Sequence, residues 1–136
     1  MDKELEEILD EFCGSNKMYR DIVDEVVEDS QEYDGEDDRE KLVSRLDEIT
    51  THGCASGTVS SLIYYDDTTN FFNTYYDEIY DYLTEMDGEG LEPMQALKNS
   101  MDDVSIMMCD RYSKNFIVWM VYEEVCYRLL NTLENE

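Results

Sequence analysis

An all-α fold follows from three features of the sequence. Apolar residues recur at i, i+3, i+4 and i+7 along nearly the whole chain, the spacing that lines one face of a helix. The stretch with strand-like composition, Val59 to Tyr65, has no convincing second strand to pair with, and an isolated strand is unstable in water. The final segment, Phe116 to Leu133, is apolar around much of its circumference, as befits a helix at the centre of a bundle. The expectation is a compact single-domain bundle over residues 1–136 with about six to seven helices, long enough to bury roughly two-thirds of its unfolded surface.

The elements are read in order. Leu5, Ile8, Leu9 and Phe12 form one face of a first helix, closed by Gly14 at a position that requires positive φ. Ser15 or Asn16 caps a second helix, with Met18, Ile22, Val23, Val26 and Val27 inward. Glu28 to Asp38 holds seven acids and no base, with Gly35 inside it, and reads as a solvated loop. Asp37 with Glu40 three residues later matches a capping box opening a third helix, with Leu42, Val43, Leu46 and Ile49 inward; Thr50–Gly53 ends it.

A short buried helix is expected around Val59, Leu62, Ile63, Tyr64 and Tyr65. Asp66 or Asp67 then caps one long helix to about Met86, with Phe72, Tyr75, Tyr76, Ile79, Leu83 and Met86 on its inner side. Asp87 to Gly90 is a turn, and Pro93 suits the first turn of a helix carrying Met94, Leu97, Met101, Val104 and Met108. Ser113 caps the last helix, and Trp119 packs from it.

Charge is the feature that folding does not require. The chain carries 35 acidic and 10 basic residues, a formal charge of −25, and from Leu46 to Leu97 there are eleven carboxylates and no lysine or arginine. At 42 % hydrophobic and 12 % aromatic residues the chain has too much apolar material for a solvated coil, so the acidity belongs to a folded surface. A compact chain of this length is roughly 35–40 Å across. Duplex DNA spreads ~25 phosphates over about 42 Å of axis, so the charge and span match roughly a dozen base pairs. Such an excess speaks to partners rather than to fold. A halophilic or merely solubilising surface is the plainer alternative.

Two acidic patches are the candidate partner-binding surfaces. The first is Asp77, Glu78, Asp81, Glu85, Asp87 and Glu89, where like charges near i, i+4 spacing each oppose helix formation by about 0.2–0.5 kcal/mol with no lysine to relieve them. The second is Glu28, Asp29, Glu32, Asp34, Glu36, Asp37 and Asp38. Six of the 11 tyrosines fall between Tyr64 and Tyr82, and Tyr80 and Tyr82, flanking the inward Ile79/Leu83 face, are expected to be exposed at an interface. Acid with exposed tyrosine suits a groove lined with arginine and lysine.

Catalytic, metal and cofactor readings find no support. A calcium loop needs glycine at position six, but Gly35 would place Ser30, and Gly88 Leu83, at position one. His52 is the only histidine, and Cys13, Cys54, Cys109 and Cys126 are too scattered for the paired spacing of zinc sites, so buried free thiols are expected. Phosphate loops are absent, and a basic patch for direct nucleic-acid binding is missing. No run approaches a membrane span, and the Met1-Asp2-Lys3-Glu4 start is unlike a signal peptide, so a reducing cytoplasmic setting is expected. A catalytic set, a metal and a cofactor are therefore not expected.

The segment His52-Gly53-Cys54-Ala55-Ser56-Gly57-Thr58-Val59, continuing through Leu62-Ile63-Tyr64-Tyr65-Asp66-Asp67-Thr68, resembles a motif of small uncharacterised acidic proteins of phages and mobile elements. Val118-Trp119-Met120-Val121-Tyr122-Glu123-Glu124 resembles the later aromatic-Glu-Glu helix of the same group. The resemblance implies a setting, in which small acidic proteins inhibit host defence, some as nucleic-acid mimics that block restriction enzymes or CRISPR effectors. The partner expected is then a basic nucleic-acid-binding protein of a host defence system. The alternative is a small interaction module or enzyme centred on the His52–Asp67 segment, with incidental acidity.

Overall fold

The computed structural model describes residues 2–52, 65–87, 99, 101 and 114–135, with 65–67, 86 and 87 by backbone alone. Among them the fold is all-α, without a strand: α1 (Lys3–Cys13), α2 (Lys17–Ser30), α3 (Asp38–His52), α4 (Tyr65–Thr74), α5 (Tyr76–Asp87) and α6 (Lys114–Glu134). They fall into two compact units. Met1–Leu62 with Tyr122–Glu136 make the first and Ile63–Val121 the second, so α6 contributes its first eight residues to one and the rest to the other.

In the first unit α1 opens at Asp2, whose carboxylate accepts from the Glu4 amide at 2.8 Å. It closes at Gly14, with φ +53° and ψ −129°, a region that a Cβ disfavours strongly. Asn16, rather than Ser15, caps α2 by accepting from the Tyr19 amide at 3.0 Å. α2 packs on α1 and α3. Leu5, Ile8, Leu9, Met18, Ile22, Val23, Val26, Leu42, Leu46 and Ile49 are buried as their spacing predicts. Phe12, Val27 and Val43 are only half-buried. Phe12 stacks on Tyr19 with centroids 5.5 Å apart, and Cys13 takes the buried position beside Leu9.

The capping box at the start of α3 is present, reaching one residue further than the motif. The Asp37 carboxylate accepts from the Glu40 amide at 2.9 Å, and the Glu40 carboxylate accepts from the Glu36 amide at 2.7 Å. Arg39 in the first turn of α3 donates to the Leu133 carbonyl in the last turn of α6 at 2.7 Å, tying the start of one helix to the end of the other. Tyr122 of α6 is buried and donates to Glu25 Oε2 of α2 at 2.6 Å.

The second unit corrects the expectation of one capped helix from Asp66 or Asp67 to Met86. α4 already includes Tyr65, so both aspartates lie inside its first turn, and the helix breaks at Tyr75. The break is slight: the Tyr75 amide donates to Phe71 and the Ile79 amide to Tyr75, at 2.9 and 2.8 Å, keeping the i to i−4 ladder across it. Phe72, Tyr75, Ile79, Tyr82 and Leu83 are buried with Met101, Ile117, Val118 and Val121. Thr68 is fully buried and bonds to Asn115. The expected helices at Val59–Tyr64 and after Pro93, and the cap at Ser113, lie outside the described residues.

Two tests follow. A Cβ added at Gly35 would meet the Lys41 backbone nitrogen at 2.8 Å, so Gly35→Ala must push the loop off α3; we expect a loss of about 1–3 kcal/mol in urea unfolding. Burial pushes the Cys126 thiol up from 9.0 to about 12. Below pH 9 both states hold that proton, and above it only the unfolded chain releases it, so stability falls by about one kcal/mol per pH unit until about pH 12. Burial, then the bond to Glu25, pushes the Tyr122 hydroxyl up too, which adds the same sign above its ordinary value. Cys126→Ala should reduce the slope that begins at pH 9 and leave the parts from Cys13, whose thiol burial also raises, and from Tyr122, as read by urea titrations from pH 8.5 upward.

Candidate functional site

The α5 patch is where the sequence places it. Asp77, Glu78, Asp81 and Glu85 are all exposed, on the side of α5 away from Ile79 and Leu83. No hydrogen bond or ion pair engages the Asp77, Glu78 or Asp81 carboxylates. At about 1.5 Å rise per residue the four acids occupy roughly 12 Å of helix axis, a mean spacing of ~4 Å, comparable with the 3.4 Å along one DNA strand. Asp87 ends α5, and Glu89 lies outside the described residues.

Tyr82 corrects the sequence reading. It is 4 % exposed, because Phe72, Tyr75, Ile79, Tyr82 and Leu83 form one stripe in which Tyr82 follows Ile79 by three. Tyr76, expected inward, is 37 % exposed; its ring meets Phe72 edge-on and its hydroxyl donates to the Met101 carbonyl at 3.0 Å. Tyr80 is half-buried at the edge of the acidic face.

The second patch is only partly a loop. α2 continues to Ser30, so Glu28 and Asp29 are helical, and Asp38 already belongs to α3. Glu28, Glu32, Asp34, Glu36 and Asp37 are exposed, whereas Asp29 and Asp38 are half-buried. Ser30 is fully buried and donates to the Val27 carbonyl at 2.6 Å. Glu25, Glu28, Asp29 and Glu32 line an open cavity of about 300 Å³.

What holds this patch is Arg45, which the helical spacing did not mark as inward. Its side chain is 6 % exposed. Nε lies 2.5 Å from Asp29 Oδ2, and Nη1 lies 4.0 Å from Glu48 Oε1. Nη1 also donates to the Tyr33 hydroxyl at 2.7 Å, while that hydroxyl donates to Glu48. The guanidinium sits 5.4 Å from the centroid of the Tyr33 ring. Burial first, then the bond to Glu48, raises the Tyr33 hydroxyl above its ordinary value, so it remains a neutral donor.

The other described arginines are also committed within the protein. Arg20 pairs with Asp10 at 2.6 Å and lies 3.9 Å from Asp24, Arg39 holds Leu133, and Arg128 reaches the Tyr19 hydroxyl at 3.5 Å. A third acidic surface went unmarked in the sequence reading. Glu4, Glu6, Glu7, Asp10 and Glu11 are all exposed on α1, since Leu5, Ile8 and Leu9 take the inner face. Its signal was legible as acids on every non-apolar position of α1 after Lys3.

Among the described residues no group of three or more His, Cys, Asp or Glu side chains could hold a metal ion, and no helix is long and apolar enough to cross a membrane. His52 is exposed as the last residue of α3, and Cys13 and Cys126 are buried free thiols. Residues 53–64 of the His52–Asp67 segment lie outside the described residues.

With this geometry the chain matches the family model described as a domain of unknown function, DUF7222, over residues 4–135. The chain belongs to that family. Comparison with curated proteins gave no match, and neither did comparison with solved structures.

Removing the buried cation tests the second patch. Arg45→Met should lower stability by about 2–3 kcal/mol in urea unfolding, because it deletes the ion pair with Asp29 and the bond to Tyr33 yet leaves Asp29 and Glu48 exposed enough to rehydrate. Asp29→Asn should cost less, since Arg45 keeps Tyr33 and Glu48.

Proposed function

We propose that this protein is a non-enzymatic inhibitor that presents a carboxylate surface, in the manner of a nucleic acid, to a basic DNA- or RNA-binding groove on a host defence protein. The observation that carries the proposal is the outer face of α5, where Asp77, Glu78 and Asp81 project without ionic partners. The described arginines are held in internal ties, and none of them reaches the Asp77, Glu78 or Asp81 carboxylates. A CRISPR effector or restriction enzyme in the host cytoplasm is the partner class that the motif resemblance implies. Glu28, Glu32, Asp34, Glu36 and Asp37 supply the second contact surface.

Charge pairing of this kind associates fast and weakens with salt, as the Debye length falls from about 10 Å at 0.1 M to about 3 Å at 1 M. Against a purified restriction enzyme or CRISPR effector that it inhibits, the protein should compete with nucleic acid and lose at least tenfold in affinity over that range. Asp77→Lys, Asp81→Lys and Glu85→Lys together should lose more than the salt step does, while His52→Ala should change nothing. Affinity that is independent of salt, or that survives charge reversal on both patches, would falsify the mimicry.

A further inference from the structure

Residues of α3 and α6 line a groove on the first unit. It has a volume of about 290 Å³ and is lined by Asp47 and Thr50 from α3 and by Tyr127, Leu130, Asn131 and Glu134 from α6. The α6 residues follow i, i+3, i+4, i+7, so they form one row on that helix, with α3 residues one turn apart opposite them. None of these belongs to either acidic patch.

Three features define what fits. Tyr127 is 58 % exposed, the most exposed large hydrophobic residue described, so its ring offers an uncovered aromatic face. Asp47 and Glu134 are exposed carboxylates that make no ion pair or side-chain hydrogen bond. Leu130 is buried at 7 % exposure and gives the groove an apolar wall against which a methylene stem packs. Among the described residues no basic side chain lines the groove. The volume lies at the bottom of the ~300–1,000 Å³ range of small-molecule sites, which suits one side chain better than a larger ligand.

We infer that this groove receives an arginine side chain of a protein partner, with its guanidinium stacked on Tyr127 and paired with Asp47 and Glu134. Planar, delocalised and weakly hydrated, a guanidinium stacks on an aromatic face and pairs with carboxylates through a fork of donors, whereas an ammonium is a strongly hydrated point charge. The same chemistry already operates inside this protein, where Arg45 lies over Tyr33 and is paired with Asp29 and Glu48. The inference deepens the reading of a basic partner and rests on it for the source of the arginine, but it concerns different residues from the α5 face.

The probes are three short acetylated, amidated peptides, Gly-Arg-Gly, Gly-Lys-Gly and Gly-citrulline-Gly, titrated into the full chain and followed by backbone NMR shifts. Arginine peptide should shift Asn131 and Tyr127 and bind at least fivefold more tightly than lysine peptide, with citrulline peptide giving no saturable shift. Tyr127→Ala should remove the arginine preference and leave a residual response to charge. Asp47→Asn with Glu134→Gln should abolish binding of both cations. Charge reversal on α5 should leave the arginine titration unchanged, so failure of the mimicry reading and failure of the groove are read separately. Equal binding of arginine and lysine peptides, or an arginine preference retained in Tyr127→Ala, would overturn the assignment.

Discussion

One desolvated cation organises the most acidic part of the first unit. Arg45 is withdrawn from water on α3, where its guanidinium pairs with Asp29 at the end of α2, donates to Tyr33 in the connection, and lies 4.0 Å from Glu48 one turn further along α3, while Nε makes no hydrogen bond among the described residues. A guanidinium in that position is costly unless every side of it is answered. These contacts join the end of α2, the connection and α3. Gly35 lies against the start of α3 because the connection is drawn in this closely.

The described arginines and Lys114 each have a structural task. Arg20 bridges acids on α1 and α2, Arg39 satisfies a carbonyl at the C-terminal end of α6, and Lys114 lies near Asn73 and over the Phe72 ring. Helix C-termini favour positive charge, and the last turn of α6 carries none of its own, so Arg39 supplies it from a neighbouring helix. Cations placed in this way stabilise local junctions and leave the outward faces of α1 and α5 acidic. The negative surface is thus compatible with folding because repulsion is met at particular joints and not averaged over the exterior.

Buried polar groups elsewhere follow the same economy. Tyr122 and Cys126 sit one turn apart on α6, both held neutral by burial, and the Tyr122 hydroxyl is anchored by Glu25. Thr68 and Asn115 form the corresponding polar contact in the second unit. These contacts specify register between helices whose apolar faces, rich in Leu, Ile and Val, could otherwise slide.

The sequence by itself determined the helical class, the inner faces of α1, α2 and α3, the Asp37 cap, a cap for α2 at Ser15 or Asn16, and the outward acids of α5. Each of these depends on the 3.6-residue period or on a side chain bonding its own backbone within a turn, which are local interactions that spacing reports directly. Tertiary structure decided what spacing leaves open. Tyr76 and Tyr82 exchanged their expected places because both border the apolar stripe, and the packed partners settle which edge is covered. Arg45 was hidden for a related reason: a charged residue enters a core only where several acceptors converge, and Asp29, Tyr33 and Glu48 meet it only once α2 has folded back onto α3. The Tyr127 groove likewise needs two helices that are distant in sequence, so no reading of either helix alone contains it.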